Sequence, residues 1–256
     1  MKNIDPNNVV VALMTGGESS RFKEVEGSGN THKNSFFLPN GDTMIEMTVR
    51  MYRDAGFKNF VALVYHKAQT IVDILGNGSK YGVSINYCHD PDHPVGKGGA
   101  VRNALDKGFI PQDKYLIVHN PDDLILEFPE IFPRYILEKH QEGEKRGCIA
   151  TVAIVKETPY AYTGMKIEDG IVKEIEMYPM VKIPAHVGVT VFSPQTYQLF
   201  RDTFDLSKKT DFEKVLFPIL ARDKKLYSAS IPTKSWLAVN SLKGYNELIA
   251  YLNTKN

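Results

Sequence analysis

Only two cysteines stand in the 256 residues, Cys88 and Cys148, and they show no metal-ligand spacing. Both fall in strand-like runs, so two buried, reduced thiols are expected rather than a disulfide. Charge of one sign is lacking as well. Lys and Arg number 31 against 30 Asp and Glu, a net +1 with no long run of either sign. Such a balance gives no bulk attraction to nucleic acid or to an anionic membrane, and neither is expected as a partner. No apolar stretch approaches the ~20 residues that cross a bilayer. Residues 1–8 are polar, without the charged-then-apolar order of a signal peptide, and a cytoplasmic protein is expected. A linker rich in Gly, Ser or Pro is missing, as are internal repeats. One domain over residues 1–256 is therefore expected, and a homo-oligomer stays compatible with the composition.

What is present is a globular composition, 43% hydrophobic and 24% charged. Residues 9–13 (VVVAL) form an apolar run too short for a helix and typical of a buried parallel strand. Thr43 and Glu46 make a capping-box pattern opening a helix that closes near Gly56. Strands are expected at 59–64, 84–87 and 115–119, and helices at 68–75 and 98–107. This order predicts an α/β fold, a Rossmann-like three-layer sandwich with a mixed, mostly parallel sheet. Further on, the pattern predicts a strand at 148–155, a hairpin over 164–175 turning at 168–170, and a strand at 187–192. Helices follow at 194–204 and 210–220, the second opened by a Thr210–Glu213 capping box. Edge strands at 226–231 and 236–239 and a last helix at 241–252 complete the reading.

In an open parallel sheet, ligands meet the loops beyond the carboxyl ends of the strands. The loop after the first strand holds Gly16, Gly17, Ser19, Ser20 and Arg21. Its glycines admit phosphate closely, its hydroxyls donate and its guanidinium grips oxygens, although a polar turn would use the same residues. A second glycine-rich turn runs from Asp90 through Gly96, Gly98 and Gly99 into a helix. The strand at 115–119 ends in Asp122 and Asp123. Carboxylates there suit a hard cation that relieves repulsion between phosphates. Asp123 is read as a water-bridged ligand or a solvent-facing neighbour.

These pieces, in this order, resemble the sugar-1-phosphate nucleotidylyltransferase family. The first loop is similar to its Gly-Gly-x-Gly-x-Arg motif, with Ser19 in place of the third glycine. Lys33 stands at the family's lysine, after His32 where proline is usual. The second turn is similar to the Gly-Thr-Ala-Gly-Ala stretch that lies along the nucleobase, and Asp122 matches the metal-binding aspartate. Asn240, in Trp236-Leu237-Ala238-Val239-Asn240, matches the second ligand of the members that use asparagine, and could equally cap the last helix. Tyr162 and Gly164 stand where the family contacts the sugar. The lysine expected after Glu176 is absent, which leaves Lys182 or Lys166 for the acceptor phosphate.

The resemblance implies a magnesium-dependent enzyme that joins a nucleoside triphosphate to a sugar 1-phosphate or similar acceptor and releases pyrophosphate. Arg21 and Lys33 would hold the triphosphate, Asp122 and Asn240 the Mg2+, and Lys182 the acceptor. Residues 1–125 would be the nucleotide-binding half and residues 126–256 the acceptor-binding half. Two alternatives remain: a glycosyltransferase with a related sheet, and a regulatory subunit that binds without catalysis.

Overall fold

The computed structural model describes residues 4–255. The first half runs β1 (Val9–Thr15), α1 (Met44–Asp54), β2 (Asn59–Val64), α2 (Ala68–Leu75), β3 (Ser84–His89), α3 (Gly96–Asp106), β4 (Tyr115–His119) and β5 (Asp123–Ile125). Then come α4 (Phe132–Glu144), β6 (Ala150–Val155), β7 (Thr158–Pro159), β8 (Thr163–Glu168), β9 (Ile171–Met177), β10 (Met180–Val181) and β11 (Ala185–Phe192). The chain finishes with α5 (Tyr197–Thr203), α6 (Phe212–Arg222), β12 (Leu226–Ser230), β13 (Trp236–Ala238) and α7 (Leu242–Asn253).

Seven strands form the central sheet in the order β12-β6-β11-β4-β1-β2-β3. Every neighbouring pair is parallel except those of β11, which runs antiparallel to both β4 and β6. Side-chain alternation along β1 shows why both faces carry helices. Val9, Val11 and Leu13 pack into one core with Tyr52 of α1, Leu75 of α2 and Ile136 of α4. Val10 and Ala12 enter the other, with Val101 of α3, Phe200 of α5 and Leu216 of α6. A third cluster joins Phe22, Leu38, Leu124 and Val239 to Leu248 of α7, and so ties the loop after β1 to the C-terminal helix.

The sheet, the hairpin of β8 with β9 and the Thr43 cap of α1 follow the sequence pattern; Glu46 N–H donates to Thr43 Oγ1 at 3.3 Å. Other expectations need correction. Asp211, not Thr210, is the N-cap residue of α6, and no capping box forms, because Glu213 pairs with Lys97 instead. β13 does not edge the main sheet; it pairs antiparallel with β5, a strand the sequence pattern did not suggest. Helix α4 was also hidden, since Pro133 in its first turn and Gly143 near its end read as breakers. The strand expected from residue 148 begins at Ala150, and α3 begins at Gly96 rather than Gly98.

Candidate active site

At the carboxyl ends of β1, β3 and β4 lies a cavity of about 340 Å³. Gly16, Gly17 and Arg21 reach it from the loop after β1, and Lys33 from the segment before α1. Asp90, Pro94 and Gly96 line it after β3, Asn120, Asp122 and Asp123 after β4, and Asn240 after β13. Residues from four distant parts of the sequence thus meet where phosphate loops are expected.

The loop after β1 is shaped by its own anchors. Ser19 adopts a left-handed conformation, φ 55°, and its Oγ accepts the Lys33 N–H at 3.4 Å. Ser20 opens the 3-10 turn Ser20–Glu24, in which Phe22 is buried edge-on against Phe36 and Tyr245. Ser19 and Ser20 are not among the cavity-lining residues; Ser19 braces the lysine segment. Next to it, His32 is buried, and its Nδ1 accepts from Asn34 N–H at 3.2 Å. Burial, reinforced by the Lys33 charge, lowers its pKa to about 4, so the ring is neutral. Its Nε2 makes no full hydrogen bond among the described residues.

Lys33 Nζ donates to Asp122 Oδ2, and both side chains are mostly shielded from solvent. The adjacent carboxylate behaves differently. Asp123 Oδ1 accepts from Trp236 Nε1 at 3.0 Å, and Oδ2 from Asn120 Nδ2 at 3.0 Å. Burial, with the neighbouring Asp122 charge, raises its pKa to about 6. Asp123 is thus half-buried at the cavity wall with both carboxylate oxygens held by the protein, a brace for the Asp122 turn. Room for it comes from Gly188 in the bulge of β11, where φ is +72° and a Cβ would overlap Asp123 Oδ2.

Pairing of β13 with β5 sets Ala238 opposite Asp123 and carries Val239 N–H to Asp122 O at 2.7 Å. The next residue, Asn240, thereby reaches the cavity beside Asp122. Its alternative role falls away, because the N-cap of α7 is Ser241, whose Oγ accepts from Gly244 N–H. Asp122 would offer a carboxylate oxygen and Asn240 an amide oxygen, both hard donors. Among the described residues no group of three His, Cys, Asp or Glu side chains suited to a metal forms. Such a set fits Mg2+, which binds through one or two protein oxygens with water and substrate phosphates.

The start of α3 departs from the glycine reading. Gly98 and Gly99 lie under Phe204 and Val95, where a Cβ would not fit, and serve packing rather than close approach to a ligand. The first N–H groups of the helix are already taken. Gly98 N donates to Thr210 O at 3.0 Å, and Lys97 N to Asp211 Oδ1 at 3.0 Å. This end of α3 is thus filled from within and not left open to phosphate. The segment that fills it brings Lys209 and Asp211 to the cavity wall. Sequence reading missed both, for no local motif marks them; they arrive through the backbone bonds of Thr210 to α3. Asn120 also lines the cavity, next to the strand end that carries Asp122.

The residues expected at the acceptor stand apart. Tyr162 is 69% exposed beside the β8–β9 ribbon, and Gly164 packs beneath Pro179. Lys182 lines a separate open groove with Lys156 and Lys234, beside the ends of β6 and β12. None of the three lines the cavity beyond β1, β3 and β4. Lys166 pairs with Glu174 at 3.2 Å on the ribbon.

Residues 10–255 match the family model described as nucleotidyl transferase. Among curated proteins, a mannose-1-phosphate guanyltransferase of Pichia angusta is 26% identical over 79% of this chain and 53% of its own length. A mannose-1-phosphate guanylyltransferase catalytic subunit beta of Drosophila pseudoobscura pseudoobscura is 22% identical over 75% of this chain and 49% of its own. The chain spans about half the length of these relatives. A Bacillus anthracis protein assigned as a glucose-1-phosphate thymidylyltransferase shares the fold, with TM-score 0.71 and 16% identity over 95% of this chain and 94% of that one. HddC of Yersinia pseudotuberculosis does so with TM-score 0.66 and 19% identity over 95% and 99%.

Proposed function

We propose a reaction for this chain, which belongs to the nucleotidyl transferase family: transfer of a nucleoside monophosphate from a nucleoside triphosphate to a sugar 1-phosphate, releasing pyrophosphate. The observation that carries it is one cavity shared by Gly16, Gly17, Arg21, Lys33, Asp122 and Asn240. Arg21 and Lys33 hold the triphosphate oxygens, and backbone at Gly16 and Gly17 lets them come close. An acceptor phosphate oxygen attacks the α-phosphorus. One P–O bond forms as the bond to the β-phosphate oxygen breaks, and pyrophosphate leaves with that electron pair. The attacking oxygen is already anionic, so no general base is needed, and the protein supplies position and charge. Asp122 and Asn240 are the residues that would hold Mg2+, which neutralises phosphate charge when bound. Asp123 and Trp236 keep the Asp122 turn in place.

The base is guanine in this reading. Lys209 and Asp211 flank Thr210, whose backbone is zipped to α3, and both line the cavity together with Met14, Leu63 and Pro94. A carboxylate accepts from the N1–H and N2 amino group of guanine, and an ammonium donates to O6. The curated relatives named above are guanylyltransferases, which supports the same choice. Tyr162, Gly164 and Lys182 form the acceptor half of the proposal, on and beside the ribbon. A panel of five triphosphates against phosphorylated sugars, read by pyrophosphate release and product mass, tests it. A glycosyltransferase would instead consume a preformed nucleotide sugar and release none.

A further inference from the structure

His32 sets a ring with two hydrogen-bonding nitrogens into the cavity wall, where it is 1% exposed. Its main chain is pinned on both sides. His32 N–H donates to Thr70 Oγ1 of α2 at 3.2 Å, and its carbonyl accepts from Ser35 N–H at 2.9 Å and Ser35 Oγ at 3.0 Å. Lys67 Nζ clamps the preceding residue by donating to Thr31 O at 3.0 Å. The ring therefore stands fixed against α2.

Nδ1 accepts from the Asn34 N–H, and this sets the tautomer. A neutral imidazole has a single N–H, so the proton sits on Nε2, the nitrogen without a full hydrogen bond among the described residues. A buried donor without an acceptor costs stability that a proline or a leucine at this position would not. One acceptor stands near: the Gly17 carbonyl is close enough to the ring to act against the lowering of its pKa. Gly17 belongs to the loop after β1, and a Cβ on it would meet nothing within 4 Å. The glycine has room to turn and the ring does not. Across a planar trans peptide the carbonyl and the following N–H point in opposite directions. A Gly17 carbonyl held on His32 thus aims the Glu18 N–H away from the ring, and Glu18 also lines the cavity.

We propose that His32 is a positioning residue for the loop after β1: its Nε2–H takes the Gly17 carbonyl, and the peptide so turned presents the Glu18 N–H to a triphosphate oxygen. The role rests on the reading that this cavity takes a triphosphate. Nitrogen NMR of the histidine rings at neutral pH should show His32 protonated on Nε2 and not on Nδ1. Its Nε2–H should shift downfield and exchange more slowly when inorganic triphosphate and Mg2+ are added. His32→Asn keeps an acceptor for the Asn34 N–H but has no distal donor, and His32→Leu fills space with no donor at all. Both should fold, and both should bind inorganic triphosphate about tenfold more weakly by calorimetry. His32→Gln, whose amide reaches toward the place of Nε2, should recover affinity to within about threefold of wild type. Triphosphate binding by the wild type with unchanged affinity in folded His32→Asn and His32→Leu overturns the proposal, and so does a proton on Nδ1. A wild type protonated on Nε2 that binds no triphosphate overturns the reading of the cavity, and the positioning role with it.

Discussion

Lys33 and Asp122 lie 89 residues apart in sequence and form an ion pair at the wall of the cavity beyond β1 and β4. Each is expected to hold something else during turnover, the lysine a phosphate and the aspartate a cation. Ligand binding must therefore exchange this pair for two new ones. Lys33→Met should weaken triphosphate affinity about ten- to a hundredfold, the ~1.5–3 kcal/mol of a charge-assisted contact. Asp122→Ala should do the reverse in the absence of a divalent cation, raising affinity several-fold, because the lysine is freed and a negative charge removed. Calorimetric titration of both variants in chelator checks this pair of opposite signs.

A second prediction concerns the base. If Asp211 accepts from the amino group of guanine, GTP should bind at least about tenfold more tightly than ITP, which lacks that group. Asp211→Asn should bring the two affinities close together while leaving the helix-capping acceptor in place. Equal GTP and ITP affinities in the wild type would remove Asp211 from the recognition of guanine.

Gly188 gives a test of the Asp123 brace. Its φ of +72° disfavours any side chain, and a Cβ there would meet Asp123. Gly188→Ala should cost about 2 kcal/mol or more, visible as a lowered Tm. Asp123→Asn keeps the shape and the Trp236 bond, and with Asn120 turning its amide oxygen to the new NH2 it should fold with near-native stability. A Gly188→Ala variant as stable as wild type would show that the bulge does not exist to house the carboxylate.

The buried histidines set a pH dependence of stability. His32, His119 and His140 each have a pKa lowered by burial from 6.5 to about 4. Between these values the unfolded chain binds more protons than the folded one, so their stabilising effect is complete above pH 6.5 and lost as pH falls toward 4. Asp123 works against them over part of this range. Its pKa is raised, chiefly by burial, from 3.8 to about 6, so there the folded chain holds the extra proton. His186, also lowered by burial, adds to the histidines, and Asp90, also raised by burial, adds to Asp123; the histidines remain the larger group, and Tm should fall from pH 6.5 to pH 4. A Tm that is flat over that interval would contradict the neutral, buried state of these rings.

Much of this was legible in the sequence because the signals are local. The apolar runs at 9–13 and 116–118 mark buried strands whatever surrounds them, and Thr43 with Glu46 caps α1 by itself. That Asp122 and the Gly16–Gly17 loop would meet was readable for the same reason, since both stand at the ends of parallel strands, and they line one cavity. The rest depends on long-range contacts. Thr210 and Glu213 spell a capping box, yet Lys97, 116 residues before Glu213, draws that carboxylate away. Gly98 and Gly99 look like ligand-facing glycines until Phe204 and Val95 are packed on them. Asp123 looked like a solvent-facing neighbour because nothing nearby in sequence announces that Trp236 and Gly188 enclose it.

The most direct measurement is pyrophosphate release by the purified chain supplied with GTP, mannose 1-phosphate or another sugar 1-phosphate, and Mg2+. The account predicts release only when triphosphate and acceptor are both present, in amounts equal to the nucleotide sugar formed. Chelation should stop it, and Asp122→Ala should reduce it at least about a thousandfold at unchanged Tm. No release with any acceptor in the panel, or wild-type turnover in folded Asp122→Ala, would contradict the assignment of this cavity to nucleotidyl transfer.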